Sequence, residues 1–306
     1  MTSYRFGLVI LQQAEIEPAD EPFVPAWDEG YTPDDTLLAD IALAVEQDLN
    51  ILLVGPTGCG KTSCVLALAA ILGQPVERAN LHGDVRSADF LGEKVIDLDP
   101  GIRQPVVVWR DGILPRAMRE GRWLLLDELD AAPASILLVL QGILEPARRL
   151  VLTANHGEVV RASPGFRFIA TANTLGRGDE TGLYTGTHVL NEAFLDRFIV
   201  RECDYQDAAT ETVLLQDRTG LPVSIGRKLV EVATLVRNGH QRAECYSTCS
   251  TRRLVAWAQV AMRLGTSDSA LLTAYRLTVR SKLTGDDRSY VDGIVQRIMG
   301  LRIECR

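Results

Sequence analysis

The chain has 306 residues, which suits one large domain with a smaller one, and its 46% hydrophobic and 24% charged residues are ordinary for a globular protein. Its 40 acidic and 32 basic side chains give a net charge of −8, which disfavours a sequence-independent nucleic-acid binder without excluding a local basic groove. No apolar run approaches the ~18 residues that a membrane span needs, and residues 1–11 lack the basic start and long apolar core of a secretion signal.

The six cysteines are scattered and lack the C-x-x-C spacing of a metal site. Cys245 and Cys249 stand four residues apart, but no further His or Cys flanks them, which argues against metal binding. The pattern favours a reduced compartment, and a cytoplasmic location is predicted.

The first 30 residues carry the weakest pattern. A short strand is expected within Tyr4–Leu11, and residues 15–29, acidic and with three prolines, indicate an extended arm. A helix is expected over residues 34–48, with its cap near Asp35 or Thr36.

Residues 51–202 alternate between short apolar runs and helical patterns, which predicts a parallel sheet flanked by helices. The expected strands are 51–54, 76–80, 123–127, 167–171 and 198–202, and the expected helices are 61–72, 113–120, 134–145 and 190–195. After about Tyr205 the strand signal ends, and amphipathic helices are expected near 207–218, 224–238, 251–264, 268–280 and 288–300. The predicted fold class is therefore α/β, with a small all-helical second domain.

Two hairpins are expected to interrupt this alternation, at about 92–112 and 146–166. The first would turn through Asp99-Pro100-Gly101, and the second through Asn155-His156-Gly157. Ordinary extension of the sheet is the alternative interpretation.

Residues 55–62 spell Gly-Pro-Thr-Gly-Cys-Gly-Lys-Thr between an apolar strand and a helix, the setting in which a phosphate-binding loop is meaningful. Its glycines let successive backbone N–H groups point at phosphate oxygens. Lys61 can reach the β- and γ-phosphates, the Thr62 hydroxyl can bind Mg²⁺, and the following helix points its positive end at the same phosphates. A glycine-rich turn with a chance Lys-Thr is the alternative. The nucleotide-binding residues predicted here are Gly55, Pro56, Thr57, Gly58, Cys59, Gly60, Lys61, Thr62 and Ser63.

Two carboxylates follow the apolar run of residues 123–126. In phosphate-loop enzymes the first, here Asp127, holds Mg²⁺ through its water shell. Glu128 is then placed to polarise an attacking water as general base. An acidic strand end alone is weak evidence, but its spacing from the phosphate loop, with a βα pattern between, strengthens it.

Three further polar residues lie where they could act on the same phosphates. Asn173 ends the strand of residues 167–171 and could orient the attacking water, although an Asn that opens a turn is equally compatible. Arg197 could reach a neighbouring subunit's nucleotide, although a solvated cation at a helix end is the alternative. Arg252 places a cation in the first turn of a helix, which is unfavourable for the helix and suggests a phosphate partner.

The order of these elements resembles the AAA+ ATPases of the MoxR group over roughly residues 34–300, and several strings are similar to its CbbQ/NorQ and CobS branches. They are the phosphate loop (55–62), Trp-Arg-Asp-Gly-Ile-Leu-Pro (109–115), Leu-Glu-Pro (144–146), Ala-Thr-Ala-Asn-Thr (170–174), Gly-Leu-Tyr-Thr-Gly-Thr (182–187) and Leu-Asn-Glu-Ala-Phe-Leu-Asp-Arg-Phe (190–198).

The resemblance implies ATP and Mg²⁺ as cofactors and a homo-oligomer, a hexameric ring with sites between subunits. It implies Asn173 as sensor 1, Arg197 as an arginine finger acting in trans, and Arg252 as sensor 2. It also implies an AAA+ core (31–205) with the two hairpins as insertions and a helical lid (206–306), which follow the N-terminal arm (1–30) expected from the composition.

The branch remains open. CbbQ/NorQ relatives work with a von Willebrand A-type adaptor to reactivate rubisco or mature nitric oxide reductase, and CobS relatives drive cobalt insertion with two other subunits. The Thr-Gly-Cys-Gly of the loop favours CbbQ/NorQ, residues 31–37 look more CobS-like, and residues 1–30 match neither. A role in a phage or defence operon is therefore also open.

The expected function is an ATP-hydrolysing motor that remodels or activates a client enzyme, a metalloenzyme, through such an adaptor. The alternatives are a CobS-like cobaltochelatase subunit, a nucleotide-gated binding module that hydrolyses too slowly to do work, and a nucleic-acid translocase. The translocase would track phosphates with Arg148, Arg149 and Arg161 of the second hairpin, although a solvated basic hairpin is the simpler interpretation.

Overall fold

The computed structural model describes residues 2–98, 104–174 and 190–303. The chain divides into two compact units. The α/β unit comprises Met1–Trp27, Pro33–Gly55 and Lys61–Cys203, and the helical unit comprises Asp28–Thr32, Pro56–Gly60 and Asp204–Arg306. The predicted turn at residues 99–101 and the motif at residues 182–187 lie outside the described residues. No helix among the described residues is long and apolar enough to cross a membrane.

The described strands and helices follow the sequence pattern closely. The strands are β1 (Ser3–Phe6), β2 (Val9–Gln12), β3 (Ile51–Val54), β4 (Val76–Asn80), β5 (Gly92–Leu98), β6 (Pro105–Asp111), β7 (Trp123–Asp127), β8 (Arg149–Leu152), β9 (Glu158–Arg161), β10 (Arg167–Ala172) and β11 (Ile199–Glu202). The helices are α1 (Asp35–Glu46), α2 (Lys61–Leu72), α3 (Ser87–Leu91), α4 (Ile113–Glu120), α5 (Ala134–Leu144), α6 (Glu192–Leu195), α7 (Ala208–Thr219), α8 (Val223–Gln241), α9 (Thr251–Leu264), α10 (Asp268–Thr278) and α11 (Gly285–Met299).

The α/β unit is built on a five-stranded parallel sheet in the order β11-β3-β10-β7-β4. Strand β3, and β7 up to its last residue Asp127, are apolar runs because helices cover both faces of a parallel sheet, and every residue in the two strands is buried. Ala172 of β10 pairs with Val54, and Asn80 of β4 pairs with Asp127. The carboxyl ends of β3, β7 and β10 therefore meet at one edge of the sheet, which is where ligands bind in open α/β sheets.

The core of this unit packs the sheet against α4, α5 and the second hairpin. Leu52, Leu124, Leu126 and Phe168 are fully buried within it. Burial of a side chain of this size contributes about 1.5–3 kcal/mol each. The sheet edge that carries the polar residues is therefore supported by a closely packed apolar core.

The N terminus corrects the prediction of a single strand over Tyr4–Leu11. The segment forms an antiparallel hairpin, β1–β2, that packs on α1. Gly7 permits the turn because its φ is +58°, a conformation that side chains disfavour. The cap of α1 is Asp34, whose side chain accepts the amides of Thr36 and Leu37, next to the expected Asp35 and Thr36.

The acidic arm of residues 15–29 contacts the α/β unit through a buried arginine. Arg122 donates to Glu77 at 2.7 Å and to Asp20 at 2.8 Å, and its guanidinium lies 3.6 Å from the ring centroid of Phe23. Both Arg122 and Glu77 are buried, and each side chain neutralises the buried charge of the other. Charge and a cation–π contact thus hold the part of the arm that carries Asp20 and Phe23.

The two antiparallel hairpins, β5–β6 and β8–β9, lie within the stretches where the sequence predicted them. The ribbon β5–β6 exposes large apolar side chains, with Ile96 78%, Leu98 64% and Val107 67% accessible. The turn of β8–β9 uses positive φ at His156 and Gly157.

The helical unit packs α7–α11 around Trp257 and Tyr275, which are fully buried. Three of these helices begin at side-chain caps: Asp207 accepts two amides of the first turn of α7, Ser250 accepts one amide of α9, and Ser267 accepts one amide of α10. Tyr275 donates to Asp292 at 2.8 Å, which satisfies its hydroxyl inside the core. Burial raises the pKa of Tyr275, so the hydroxyl stays neutral.

Candidate nucleotide-binding site

The predicted phosphate loop leaves β3 at Gly55, where only glycine fits. A Cβ at this position would lie 2.1 Å from the carbonyl oxygen of Cys203. The Gly55 amide donates to the carbonyl of Ala172 at 3.2 Å, which ties the loop to β10. Further along, Gly58 and Gly60 have φ of +74° and +104°, so the curl of the loop also depends on glycine.

Lys61 and Thr62 begin α2 and direct their polar atoms at the sheet edge. Lys61 is buried, and its ammonium donates to the Gly55 carbonyl at 2.6 Å and to Asn173 Oδ1 at 3.3 Å. The Thr62 hydroxyl donates to Asp127 Oδ1 at 2.6 Å. Residues from β3, α2, β7 and β10 therefore meet at the edge that the strand register defines. Ser63, also predicted for this site, is exposed in the first turn of the same helix.

Asp127 accepts hydrogen bonds from three side chains at this edge, the first of which is that of Thr62. Its Oδ1 also accepts the Thr171 hydroxyl at 2.9 Å, and its Oδ2 accepts Arg78 Nε at 2.7 Å. The hydroxyl of Thr62 and the carboxylate of Asp127 offer adjacent hard oxygen donors, which suit Mg²⁺. These residues therefore fit the metal that the sequence predicts, and Arg78 is the cation that the sequence did not predict beside them.

Glu128 has an unusual backbone conformation. Its φ and ψ are 59° and 48°, the left-handed region that residues other than glycine seldom adopt. The turn brings the Glu128 amide to 3.4 Å from the Thr171 hydroxyl. Such a conformation costs about 1 kcal/mol or more and persists only where the surroundings enforce it.

Asp130 holds the residues that follow β10. It is fully buried, and its Oδ2 accepts the amides of Asn173 and Thr174 at 3.1 and 2.9 Å and the Thr174 hydroxyl at 2.9 Å. Asp130 therefore fixes the backbone that carries the Asn173 side chain to Lys61. Asp130 was not predicted from the sequence, although it lies only two positions after Glu128, in the same acidic segment that follows β7.

The Arg197 side chain pairs with a carboxylate outside the group of residues at the sheet edge. Its Nε and Nη2 donate to Glu145 Oε1 at 2.9 and 2.6 Å, and Nη1 contacts the carbonyl of Ala193. Asn50 donates to the Arg197 carbonyl at 3.0 Å and fixes the backbone there. Within this chain the guanidinium is thus paired with Glu145, and its action on a neighbouring subunit stays a prediction.

The remaining loop residues, Pro56–Gly60, lie in the helical unit together with the first turn of α9. A Cβ at Gly58 would lie 2.8 Å from the Cβ of Ser250 and 3.8 Å from that of Arg252. The Cys59 amide donates to the carbonyl of Pro56 at 3.4 Å, and the Thr57 carbonyl accepts the Tyr205 hydroxyl at 3.0 Å. The structure therefore places the backbone of Arg252 beside the loop.

Comparisons with known proteins agree with this architecture. Residues 50–198 match the family described as AAA domain (dynein-related subfamily), and residues 211–299 match the CbbQ/NirQ/NorQ C-terminal family. Among similar proteins, the aerobic cobaltochelatase subunit CobS of Sinorhizobium sp is 33% identical over 292 residues, covering 93% of this chain and 86% of CobS. Protein NorQ of Paracoccus denitrificans is 32% identical over 237 residues, covering 77% of this chain and 81% of NorQ.

A solved structure supports the fold alone. NtrX from Brucella abortus, in complex with ADP, matches with a TM-score of 0.50 and 15% identity, covering 76% of this chain and 51% of NtrX.

The fold, the phosphate loop and these matches together define an AAA+ ATPase. Within that class, the chain belongs to the CbbQ/NorQ/CobS-like branch of the MoxR group. The predicted fold class and the predicted family are therefore confirmed. Membership implies ATPase activity, the use of ATP with Mg²⁺, and work with partner proteins.

Proposed function

We propose that the chain hydrolyses ATP to ADP and phosphate and uses the energy to remodel or activate a client enzyme, a metalloenzyme. It would do so in the cytoplasm as a hexameric ring, with a von Willebrand A-type adaptor. The observation that carries the hydrolytic part is the convergence of Lys61, Thr62, Asp127 and Asn173 at one sheet edge. The AAA+ core would be residues 31–205 and the helical lid residues 206–306, after the N-terminal arm.

In this proposal the loop residues 55–60 hold the phosphates, and Lys61 neutralises part of their charge. Thr62 and Asp127 would hold Mg²⁺, which when bound supplies further positive charge to the phosphate oxygens. Glu128 would accept the proton of the attacking water, and Asn173 would orient that water. Arg252 would act from the start of α9 as sensor 2, and Arg197 would act on the neighbouring subunit's nucleotide.

The proposal that the chain acts on a client enzyme is supported by the similarity to CobS and NorQ and by one exposed surface. The ribbon β5–β6 exposes Ile96, Leu98 and Val107, and apolar surface of this kind supports contact with another protein. A CobS-like role as a cobaltochelatase subunit is the alternative that the identity to CobS supports.

The test of hydrolysis compares phosphate release in the wild-type chain, Glu128→Gln and Lys61→Ala. We expect Mg²⁺-dependent turnover in the wild type and a loss of about 100-fold or more in Glu128→Gln, the usual contribution of a general base. Glu128→Gln should still bind ATP, whereas Lys61→Ala should bind it weakly. Glu46→Gln, which changes an exposed glutamate at the end of α1, serves as the control. Full turnover by Glu128→Gln would show that the general base lies elsewhere.

The pairing of Arg197 with Glu145 favours a second candidate, the nucleotide-gated binding module. A guanidinium that stays on its own subunit would not stabilise a neighbour's phosphoryl transfer. The motor predicts that Arg197→Ala slows phosphate release by at least about 10³-fold, as for other arginine fingers. The binding module predicts little change.

The client can be sought with the same variant. Because Glu128→Gln should hold ATP without hydrolysing it, a tagged form purified from its native cell with ATP and Mg²⁺ should retain its partners. Recovery of an adaptor and a metalloenzyme by mass spectrometry would support the activator, and recovery of nucleic acid would support the translocase.

A further inference from the structure

The helical unit contains a buried ion pair outside the site described above. Arg237 of α8 donates through Nη1 and Nη2 to the two oxygens of Glu211 of α7, at 2.7 and 2.9 Å. The relative accessibilities are 8% for Arg237 and 1% for Glu211. A buried pair of this kind is weak evidence of a stabilising role, because apolar residues of similar volume often serve as well. The other contacts of Arg237 and Glu211 indicate a second role for the pair.

One branch of contacts leads from this pair to the start of α9. Arg237 Nε donates to the carbonyl of Cys249 at 2.7 Å, and the Thr251 hydroxyl donates to Glu211. These contacts fix the residues on either side of Ser250, the cap of α9. Ser250 is also the side chain that approaches Gly58 of the phosphate loop.

The other branch leads to the loop itself. The Arg237 guanidinium lies 3.7 Å from the ring centroid of Tyr205, within the range of a strong cation–π contact. The Tyr205 hydroxyl in turn donates to the Thr57 carbonyl at 3.0 Å. One guanidinium therefore connects loop residue 57, through Tyr205, with the residues that flank the cap of α9.

We infer that Arg237 and Glu211 are positioning residues for nucleotide binding, setting the phosphate loop at Thr57 and the start of α9 relative to each other. Arginine suits this task because its planar fork bonds Glu211 with both Nη groups, Cys249 with Nε, and Tyr205 with its face. Neither residue touches nucleotide in this inference, and both act through Tyr205 and the segment 249–251. The inference rests on the proposed function, since it assumes that residues 55–62 hold a nucleotide.

The test measures the dissociation constant of a fluorescent ADP analogue with Mg²⁺, and the melting temperature, for the wild-type chain and its variants. Tyr205→Phe removes only the hydrogen bond to Thr57 and keeps the ring. We expect it to bind about three- to tenfold more weakly, the worth of one hydrogen bond, through faster release. Arg237→Lys keeps the charge but loses the fork, so it should bind at least about tenfold more weakly. Tyr246→Phe, at a tyrosine that is 72% exposed, is the matched control and should bind like the wild type.

A second readout separates positioning from stability. Thr251→Val removes the hydrogen bond from Thr251 to Glu211 in the other branch and leaves the bond from Arg237 to the Cys249 carbonyl. The effects of Tyr205→Phe and Thr251→Val should not be additive when the two are combined, because both act through one pair. In the wild type, ADP should slow amide hydrogen exchange at the start of α9, and Tyr205→Phe should lose that protection while its melting temperature stays within a few degrees.

The outcomes are distinct. If the wild-type chain does not bind the analogue, the proposed function itself fails. If the wild type binds while Tyr205→Phe and Arg237→Lys bind within twofold of it, the inference is overturned. It is also overturned if affinity falls only in variants whose melting temperature falls in parallel, or if the two branches are strictly additive.

Discussion

Arg78 gives a quantitative prediction about the magnesium site. In the structure its Nε lies 2.7 Å from Asp127 Oδ2, and the side chain of Arg78 is 51% accessible whereas that of Asp127 is 7% accessible. Mg²⁺ and Arg78 would both bind the Asp127 carboxylate. Because Arg78 neutralises part of the negative charge of this carboxylate, it should weaken the binding of Mg²⁺. Replacing Arg78 with Gln should therefore lower the Mg²⁺ concentration at which the site fills.

The size of the effect follows from the exposure of the pair. Because Arg78 is half exposed, the interaction belongs with solvent-screened ion pairs, which contribute about 0.2–1 kcal/mol. The upper value corresponds to about a fivefold change in an equilibrium constant. We thus expect the Mg²⁺ midpoint of Arg78→Gln to fall by up to about fivefold, and by less at high salt.

The assay is a Mg²⁺ titration at fixed, saturating fluorescent ADP analogue, read by fluorescence and by thermal shift so that it does not depend on turnover. Arg86→Gln is the matched control, because Arg86 pairs with Asp89 on an exposed surface. A midpoint that does not move would mean that Arg78 and the metal do not share Asp127. A midpoint that rises would mean that Arg78 contacts the phosphates, and either result would refute the reasoning.

Three other changes test the framework of the site. Gly55→Ala should destabilise the chain by about 1–3 kcal/mol in urea unfolding, because its Cβ would press on the Cys203 carbonyl and the strand must shift; unchanged stability would mean that the loop adapts freely. Asp130→Ala should cost about 1–3 kcal/mol for each amide it leaves unpaired and should slow phosphate release by displacing Asn173; a normal rate would show that Asn173 is held by other contacts. Burial raises the pKa of Cys249 from its ordinary value to about 11, so the unfolded thiol ionises at a lower pH than the folded one. This contribution to stability should be fully present below about pH 9, and about 2–3 kcal/mol of it should be lost as the pH rises to 11. Burial raises the pKa of Cys245 to about 11 as well, so Cys249→Ala should reduce the alkaline loss without abolishing it, and a loss as large as that of the wild type would contradict the reasoning.

The sequence was most informative where the structure is local or follows from strand order. The phosphate loop needs only β3, three glycines and the start of α2, all contiguous in the chain. The proximity of Asn173 to Lys61 could also be anticipated, because parallel neighbours end at the same edge of a sheet. The roles of Glu128, Asn173, Arg197 and Arg252 remain predictions that the experiments above test.

The contacts that sequence reasoning missed depend on distant partners. Arg78 reaches Asp127 because β4 lies beside β7 in one particular register, which no local pattern encodes. Arg122 bonds Asp20 and Glu77, which lie 102 and 45 positions earlier in the sequence, so no local pattern encodes these contacts either. The N-terminal hairpin was not predicted because a single glycine, Gly7, makes its turn within a short and largely apolar run.

The left-handed backbone at Glu128 lowers the stability of the fold at the residue that is proposed to act as general base. Glycine would adopt this conformation without the steric penalty of about 1–2 kcal/mol that a Cβ incurs. A chain with glycine at position 128 should therefore resist denaturation better while losing the carboxylate proposed to activate water. Selection for stability alone would favour that exchange, so under the proposed role of Glu128 this position is one where the chain forgoes stability for function.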